Sequence, residues 1–312
     1  MNIQRFFMIS ACLGVIFSTL SAAAQDEIDT LFDEATLELT YFNFDTAYSL
    51  FGELREQVGS ESSELWQKAT LGLALSAQSK TPATRDALAE AQALYQSLID
   101  TAPKSAYAAR ALISLGRIAE IRDYGGDVID LDAARDFYEQ VLDGWPDAMV
   151  GDEAALRYAD TYFQQFEDPD VVAEGVRFLE GWAEGRDNQM MAPVIWEVIA
   201  NVKHDQLNDP AGALAAFLKA DELGLAEPNA ACTLYYRAAN LAENQVGDID
   251  TAIRLYQKVI VEAPRSGRAF NAQLALEALI EQYPDKSIEI PQIKMFISND
   301  EDAPPAAEGA AP

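Results

Sequence analysis

The sequence keeps restating one phrase, most fully at Thr251–Ser266, TAIRLYQKVIVEAPRS. A small residue is followed four positions on by an aromatic, seven on by an aliphatic and twelve on by proline: Ala252, Tyr256, Val259 and Pro264. The same words stand at Ala91, Tyr95, Leu98 and Pro103, and at Ala134, Tyr138, Val141 and Pro146. Positions 0, +4 and +7 share one face of an α-helix, so each trio predicts a buried stripe. The proline stops the helix and opens the turn to the next. A chain that repeats a helix-sized packing unit grows by addition, which predicts one elongated array.

Between the phrases the helical pattern continues. A first helix is predicted over 27–41, with Ile28, Leu31, Phe32 and Ala35 on one face, and Asp45 is placed to cap a second carrying Ala47, Phe51 and Leu54. Outer (B) helices then alternate with inner (A) helices at 64–80, 106–121 and 152–165, from Pro193, and at 230–243. Asp209-Pro210 opens a fifth B helix in cap-then-proline order, and an unpaired helix at 267–282 closes the series. The large stripe residues Phe51, Tyr95, Tyr138, Leu179, Phe217 and Tyr256 are 44, 43, 41, 38 and 39 positions apart.

The phrase resembles the second helix of a tetratricopeptide repeat, whose unit is 34 residues. The longer steps here fall in the loops between A and B helices. Pro-Lys-Ser-Ala-Tyr-Ala-Ala-Arg-Ala at 103–111 and Pro-Arg-Ser-Gly-Arg-Ala-Phe-Asn-Ala at 264–272 resemble exported bacterial members of that family. These include the lipoprotein of the outer-membrane β-barrel assembly machine and the periplasmic coordinator of the Tol–Pal system. The resemblance covers residues 27–282 and implies an all-α fold, a right-handed α-solenoid of antiparallel helix pairs.

The ends read differently. Met1–Arg5 with its one positive charge, the apolar run Phe6–Leu20 and the small residues Ser21–Ala24 predict a signal peptide over 1–24, cleaved before Gln25. Ile9-Ser10-Ala11-Cys12 raises a lipobox as the alternative, although the apolar run continues past Cys12. Cleavage would leave one cysteine, Cys232, in an apolar helical context, so no disulfide framework is expected. The repeat domain is expected over 25–283, followed by an apolar segment, 284–297, broken by Pro291. There Ile288, Ile290, Ile293 and Phe296 are expected to cover the last helix as a cap. Residues 298–312, acidic and rich in Ala and Pro, lack the apolar content to fold.

Chemistry finds little purchase. The formal charge of −29 disfavours nucleic acid and anionic lipid as partners. With His204 as the only histidine, histidine-based metal clusters are excluded, and its place at the end of a helix is explained by the helix dipole. Gly125-Gly126 is an isolated pair and no phosphate loop, so no cofactor is expected. Asp123, Asp127, Asp130 and Asp132 invite a calcium reading, but without EF-hand spacing, and Asp132 is placed to cap the following helix. Trp182 and Trp196 fall on packing stripes.

A tetratricopeptide array is implied to bind proteins or peptides along a concave face lined by its A helices. Projection from the small buried residues puts Arg110, Arg117, Asp160, Glu197, Asn201, Tyr236 and Asn240 on that face. The expectation is an exported, non-enzymatic scaffold in the periplasm or at the outer membrane, without a membrane span once the signal is removed. A cell-envelope glycan-binding or hydrolase-accessory protein using carboxylates and tryptophans is the alternative.

Overall fold

The structure, a computed structural model, describes residues 26–58, 63–121, 128–224 and 228–292. Among them are thirteen α-helices and no strand: α1 (26–40), α2 (Phe44–Gln57), α3 (Glu64–Ser79), α4 (Arg85–Thr101), α5 (Ala106–Glu120), α6 (Leu131–Gly144), α7 (Met149–Phe163), α8 (Pro169–Ala183), α9 (Ala192–Asp205), α10 (Pro210–Leu223), α11 (Pro228–Leu241), α12 (Ile249–Glu262) and α13 (Gly267–Gln282). No helix of the described residues is long and apolar enough to cross a membrane. The chain divides into two compact units, one up to Thr161 and one from Tyr162. In the first, α2 to α6 each pack on the next, and α3 also touches α5; in the second, α8 to α13 do the same, and α11 also touches α13. This is an all-α helical repeat.

Helix starts are set by short polar side chains that accept a first-turn N–H. Ser63 accepts from Trp66, Thr84 from Ala87, Ser105 from Ala108 and Ser266 from Arg268, at 3.0–3.1 Å. Asp130, Asp168, Asp209 and Asp248 do the same for α6, α8, α10 and α12. Such a cap stabilises a helix by about 1 kcal/mol. Three expected caps are displaced. Asp45 lies in the first turn of α2, behind an Asn43 that makes no side-chain cap bond. Asp132 lies in the first turn of α6 and pairs with Arg135 at 3.0 Å. Asp250 lies in the first turn of α12, two residues past the capping Asp248. An acid one turn late still favours the positive helix end, so the pattern alone does not separate the two places.

Helix ends follow the proline. The residues before it, Ala102, Trp145, Ala263 and Tyr283, all have φ between −126 and −138° and ψ between 49 and 66°. Proline excludes its predecessor from the helical region. Each donates its N–H back to a stripe residue, Leu98, Val141, Val259 or Leu279, at 2.9–3.0 Å. The fourth case is an unread instance of the phrase: Ala272, Leu276, Leu279 and Pro284 repeat its spacing with leucine for tyrosine, and all three apolar residues are fully buried.

The three stripe tyrosines Tyr95, Tyr138 and Tyr256 are buried, as are the phrase alanines Ala91, Ala134 and Ala252. Pro103 is exposed, while Pro146 and Pro264 are half-buried. Rings so deep require a small residue opposite. A Cβ built on Gly116 would come within 2.4 Å of the Tyr138 ring, and one on Gly72 within 2.5 Å of Phe51. Each buried hydroxyl also needs a partner. Tyr95 donates to Gln78 Oε1 and Tyr256 to Glu243 Oε2, both at 2.8 Å. Tyr138 faces Glu120, but neither its hydroxyl nor Glu120 Oε2 completes a hydrogen bond.

After α13 the chain turns as it does after α4 and α12, yet Ser287 begins no helix. The β-branched alternation Ile288-Glu289-Ile290 and then Pro291 dictate an extended strap. Lys286 pairs with Asp250 at 2.5 Å, and Gln257 Nε2 donates to the Glu289 carbonyl at 2.7 Å. The strap therefore runs parallel to α12, with Ile288 and Ile290 half-buried and Ser287 and Glu289 exposed. Its hydrogen bonds go to the penultimate helix, α12, where the sequence reading expected the last one. Ile293 and Phe296 lie outside the described residues, as do Asp123 and Asp127 of the aspartate loop.

Two outcomes follow from this packing. Gly116→Ala should destabilise the first unit by about 1–3 kcal/mol through overpacking, whereas Gly144→Ala, with open space around the new Cβ, should not; chemical denaturation measures both. Ile288→Asp with Ile290→Asp should lower stability by about 2 kcal/mol, and an unchanged melting curve would show that the strap covers nothing of consequence.

Candidate functional site

In the second unit a groove of about 300 Å³ opens where α9, α11 and α13 approach the connection between α11 and α12. That connection is a π-helical turn, Ala242–Val246, closed by Gly247 in the left-handed conformation at φ 78°. The wider turn rotates consecutive side chains off the α-helical register. It sends Glu243 to Tyr256 and Gln245 to His204.

His204 comes from the last turn of α9, where the helix dipole favours a cation. Its Nδ1 lies 2.5 Å from Asp205 Oδ1 and its Nε2 3.1 Å from Gln245 Nε2. An amide nitrogen can only donate, so this geometry suits a neutral imidazole with its proton on Nδ1, donated to Asp205. α11 contributes Tyr236, Arg237 and Asn240. Arg237 reaches Asp205 Oδ2 at 3.7 Å and lies over the Phe217 ring. Arg268, in the first turn of α13, stacks 5.0 Å from the centre of the Tyr236 ring, which itself leans on Tyr256.

Among the described residues no carboxylate pairs with Arg268, and none lines the groove. Arg268 also sits at a helix N-terminus, the end that disfavours a cation. Glu243 is engaged by Tyr256, whose hydroxyl is pushed up by burial and then by that carboxylate. Two guanidiniums, an imidazole and the amides of Asn240 and Gln245 thus face one opening in a chain of charge −29. The opening offers donors and an aromatic face to an anionic group.

Of the seven residues projected onto the inner face, Tyr236 and Asn240 line this groove. Glu197 and Asn201 are half-buried one and two turns before His204 on α9, and Asn201 Oδ1 has no partner among the described residues. Arg110, Arg117 and Asp160 belong to the first unit. Arg110 forms an ion pair with Glu153, Arg117 is exposed in the last turn of α5, and Asp160 is half-buried. The projection missed His204, Arg237, Gln245 and Arg268. One signal was available for Arg268: it occupies the place of Tyr107 in the otherwise matching segments after Pro264 and Pro103.

The tryptophans offer no open platform. Trp66 is buried beneath Arg55, and Trp182 stacks on Phe178 with Arg186 3.9 Å from its centre. Cys232 is buried, with its sulfur 3.4 Å from Ser266 Oγ.

In the first unit the most unusual titratable group is Glu120. Its side chain is 3% exposed and its nearest cation is Arg157, at 3.7 Å. Burial raises its carboxyl above the ordinary 4.5, Arg157 opposes the rise and Asp160 adds to it. A carboxyl raised on folding binds its proton more tightly in the folded state. The ionised form therefore weakens the fold above the raised value, and this penalty vanishes as the pH falls to 4.5. Glu120→Gln should gain stability relative to the unsubstituted chain at pH 7 and lose that advantage toward pH 4.5. Parallel pH profiles in urea denaturation would disprove the assignment.

Residues 233–266 match the family model of the tetratricopeptide repeat, a span running from α11 through the π turn to the proline turn after α12. No curated protein matches the chain. Among solved structures, one titled as a functional characterisation of Pseudomonas aeruginosa PilF is 16% identical over 81% of this chain and 99% of that chain, with a TM-score of 0.47. Another, the human IFIT1 dimer with PPP-AAAA, is 14% identical over 84% of this chain and 65% of that chain, with a TM-score of 0.36.

Proposed function

We propose that this chain is an exported, non-enzymatic scaffold of tetratricopeptide type. It acts in the periplasm or at the outer membrane by holding acidic segments of protein partners in the groove between α9, α11 and α13. The observation that carries this reading is Arg268, which has a cation-disfavouring position and an aromatic seat beneath it. An acidic side chain entering there meets Arg237 and Arg268 from two helices, with Asn240 and Gln245 left to bond a peptide backbone. The groove's volume suits one or two residues of an extended peptide. The tetratricopeptide match supports a protein-binding role, since it spans α11, the π turn and α12.

Export is supported by the charged, apolar and small-residue succession over 1–24. Osmotic-shock fractions of the native host should contain the protein, with a mature N-terminus at Gln25. A lipid on Cys12 would replace free export by anchoring.

Fluorescence anisotropy with short Asp/Glu-rich peptides and their Asn/Gln counterparts tests the groove. The acidic series should bind, weaken as salt rises, and lose about tenfold in affinity in the Arg237→Glu, Arg268→Glu variant. Equal binding of both series, or no effect of the charge reversals, would overturn the assignment.

A further inference from the structure

Taking the groove as an anion-binding site, which rests on the reading above, we infer that its resident occupant in the unliganded chain is the chain's own segment Asp300-Glu301-Asp302. The tail thus competes with partners for the same guanidiniums.

The strap supplies the geometry. The Glu289 carbonyl is held on Gln257, and the strap runs toward the C-terminal end of α12. Three further residues of extended chain advance about 10 Å, so Gln292 stands level with the turn that joins α12 to α13. Arg268 is on the first turn beyond that connection. From Gln292 to Asp300 is eight residues, with a reach of up to about 27 Å, enough to round the end of α13 and enter the groove.

The charges match. Asp300, Glu301 and Asp302 are consecutive, and no Lys or Arg occurs from Ser298 to Pro312. The rest of this strongly acidic chain repels such a segment, whereas the groove presents Arg237 and Arg268 with no carboxylate among its lining residues. Tethering raises the local concentration of the tail to the millimolar range, so even a weak contact competes with a free peptide.

His204 gives a direct readout, because the sequence holds one histidine and its imidazole signals are unique. A nitroxide is placed on A306C, with Cys12→Ser; Cys232 is 5% exposed and out of the reagent's reach. The label should broaden the His204 ring signals. D300N, E301Q and D302N together should restore them, as should Arg268→Glu with the helical content unchanged. In the unlabelled chain, the same three tail substitutions should tighten binding of the acidic test peptide about fivefold. Sharp His204 signals in the labelled chain, or a peptide affinity indifferent to the tail, would overturn the proposal. Broadening that fades on dilution would overturn it in favour of a second copy's tail. Failure of the groove reading would look different: the test peptide would not bind even the tail-neutralised chain.

Discussion

A phenol ring buried between two helices imposes two demands, and much of this structure answers them. The ring needs space, which Gly116 gives to Tyr138 across the α5–α6 hairpin. Its hydroxyl cannot be left dry without a penalty of about 1–3 kcal/mol, so a polar residue of the preceding helix or connection must reach it. Gln78 does so for Tyr95 from 17 residues upstream, and Glu120 faces Tyr138 from 18. Glu243 must serve Tyr256 from 13 residues upstream, across a shorter connection. A regular α-helical turn followed by a tight reversal gives way there to the π turn and Gly247. The same widening that delivers Glu243 inward turns Gln245 outward onto His204. The groove is in this sense a by-product of satisfying a core hydroxyl.

This explains why the packing was legible in the sequence and the groove only in part. Periodicity reports which residues share a face of an ideal helix, and Ala252, Tyr256 and Val259 obey it. Tyr236 and Asn240, on regular turns of α11, could be projected correctly. Gln245 could not, because the π turn shifts the register by one residue after Leu241. His204 reads as a dipole-matched helix end, and its role depends on a residue 41 positions away. Arg237 and Arg268 become partners only when α11 and α13, separated in sequence by α12, are brought side by side. The phrase at Ala272 to Pro284 was plain in the sequence but carries leucine where tyrosine had defined the pattern. The ring is therefore not the repeat's invariant; the buried stripe and the proline-terminated turn are.

Charge acts at two ranges. The net acidity sets a background that any polyanion must climb, whereas within the groove the local arrangement decides, because unpaired donors near low-dielectric walls act over a few ångströms with little screening. The surrounding acids are not idle. Asp205 is shared between His204 and Arg237, which holds both side chains in place without neutralising Arg268. Lys203, next in sequence to His204, is turned to Glu180 at 2.6 Å and takes no part. The groove is selective in which cations it exposes.

The ending of the repeat follows from a few side chains. The turn after Pro284 has the same backbone hydrogen bond as those after Pro103 and Pro264, and each leads to a serine. After Ser105 and Ser266 come residues that accept helical torsions, and a helix follows. After Ser287 come Ile-Glu-Ile-Pro, in which two β-branched side chains disfavour the helix and the proline forbids its continuation. The chain still has to cover α12, so it lies down as a strap and places alternate isoleucines inward at 3.3 Å per residue instead of a helical face at 1.5 Å. Six residues of strap thus span about as much of α12 as a helix of thirteen would. This economy of length brings the end of the strap back to the turn that precedes Arg268, and so sets where the acidic tail leaves the described fold.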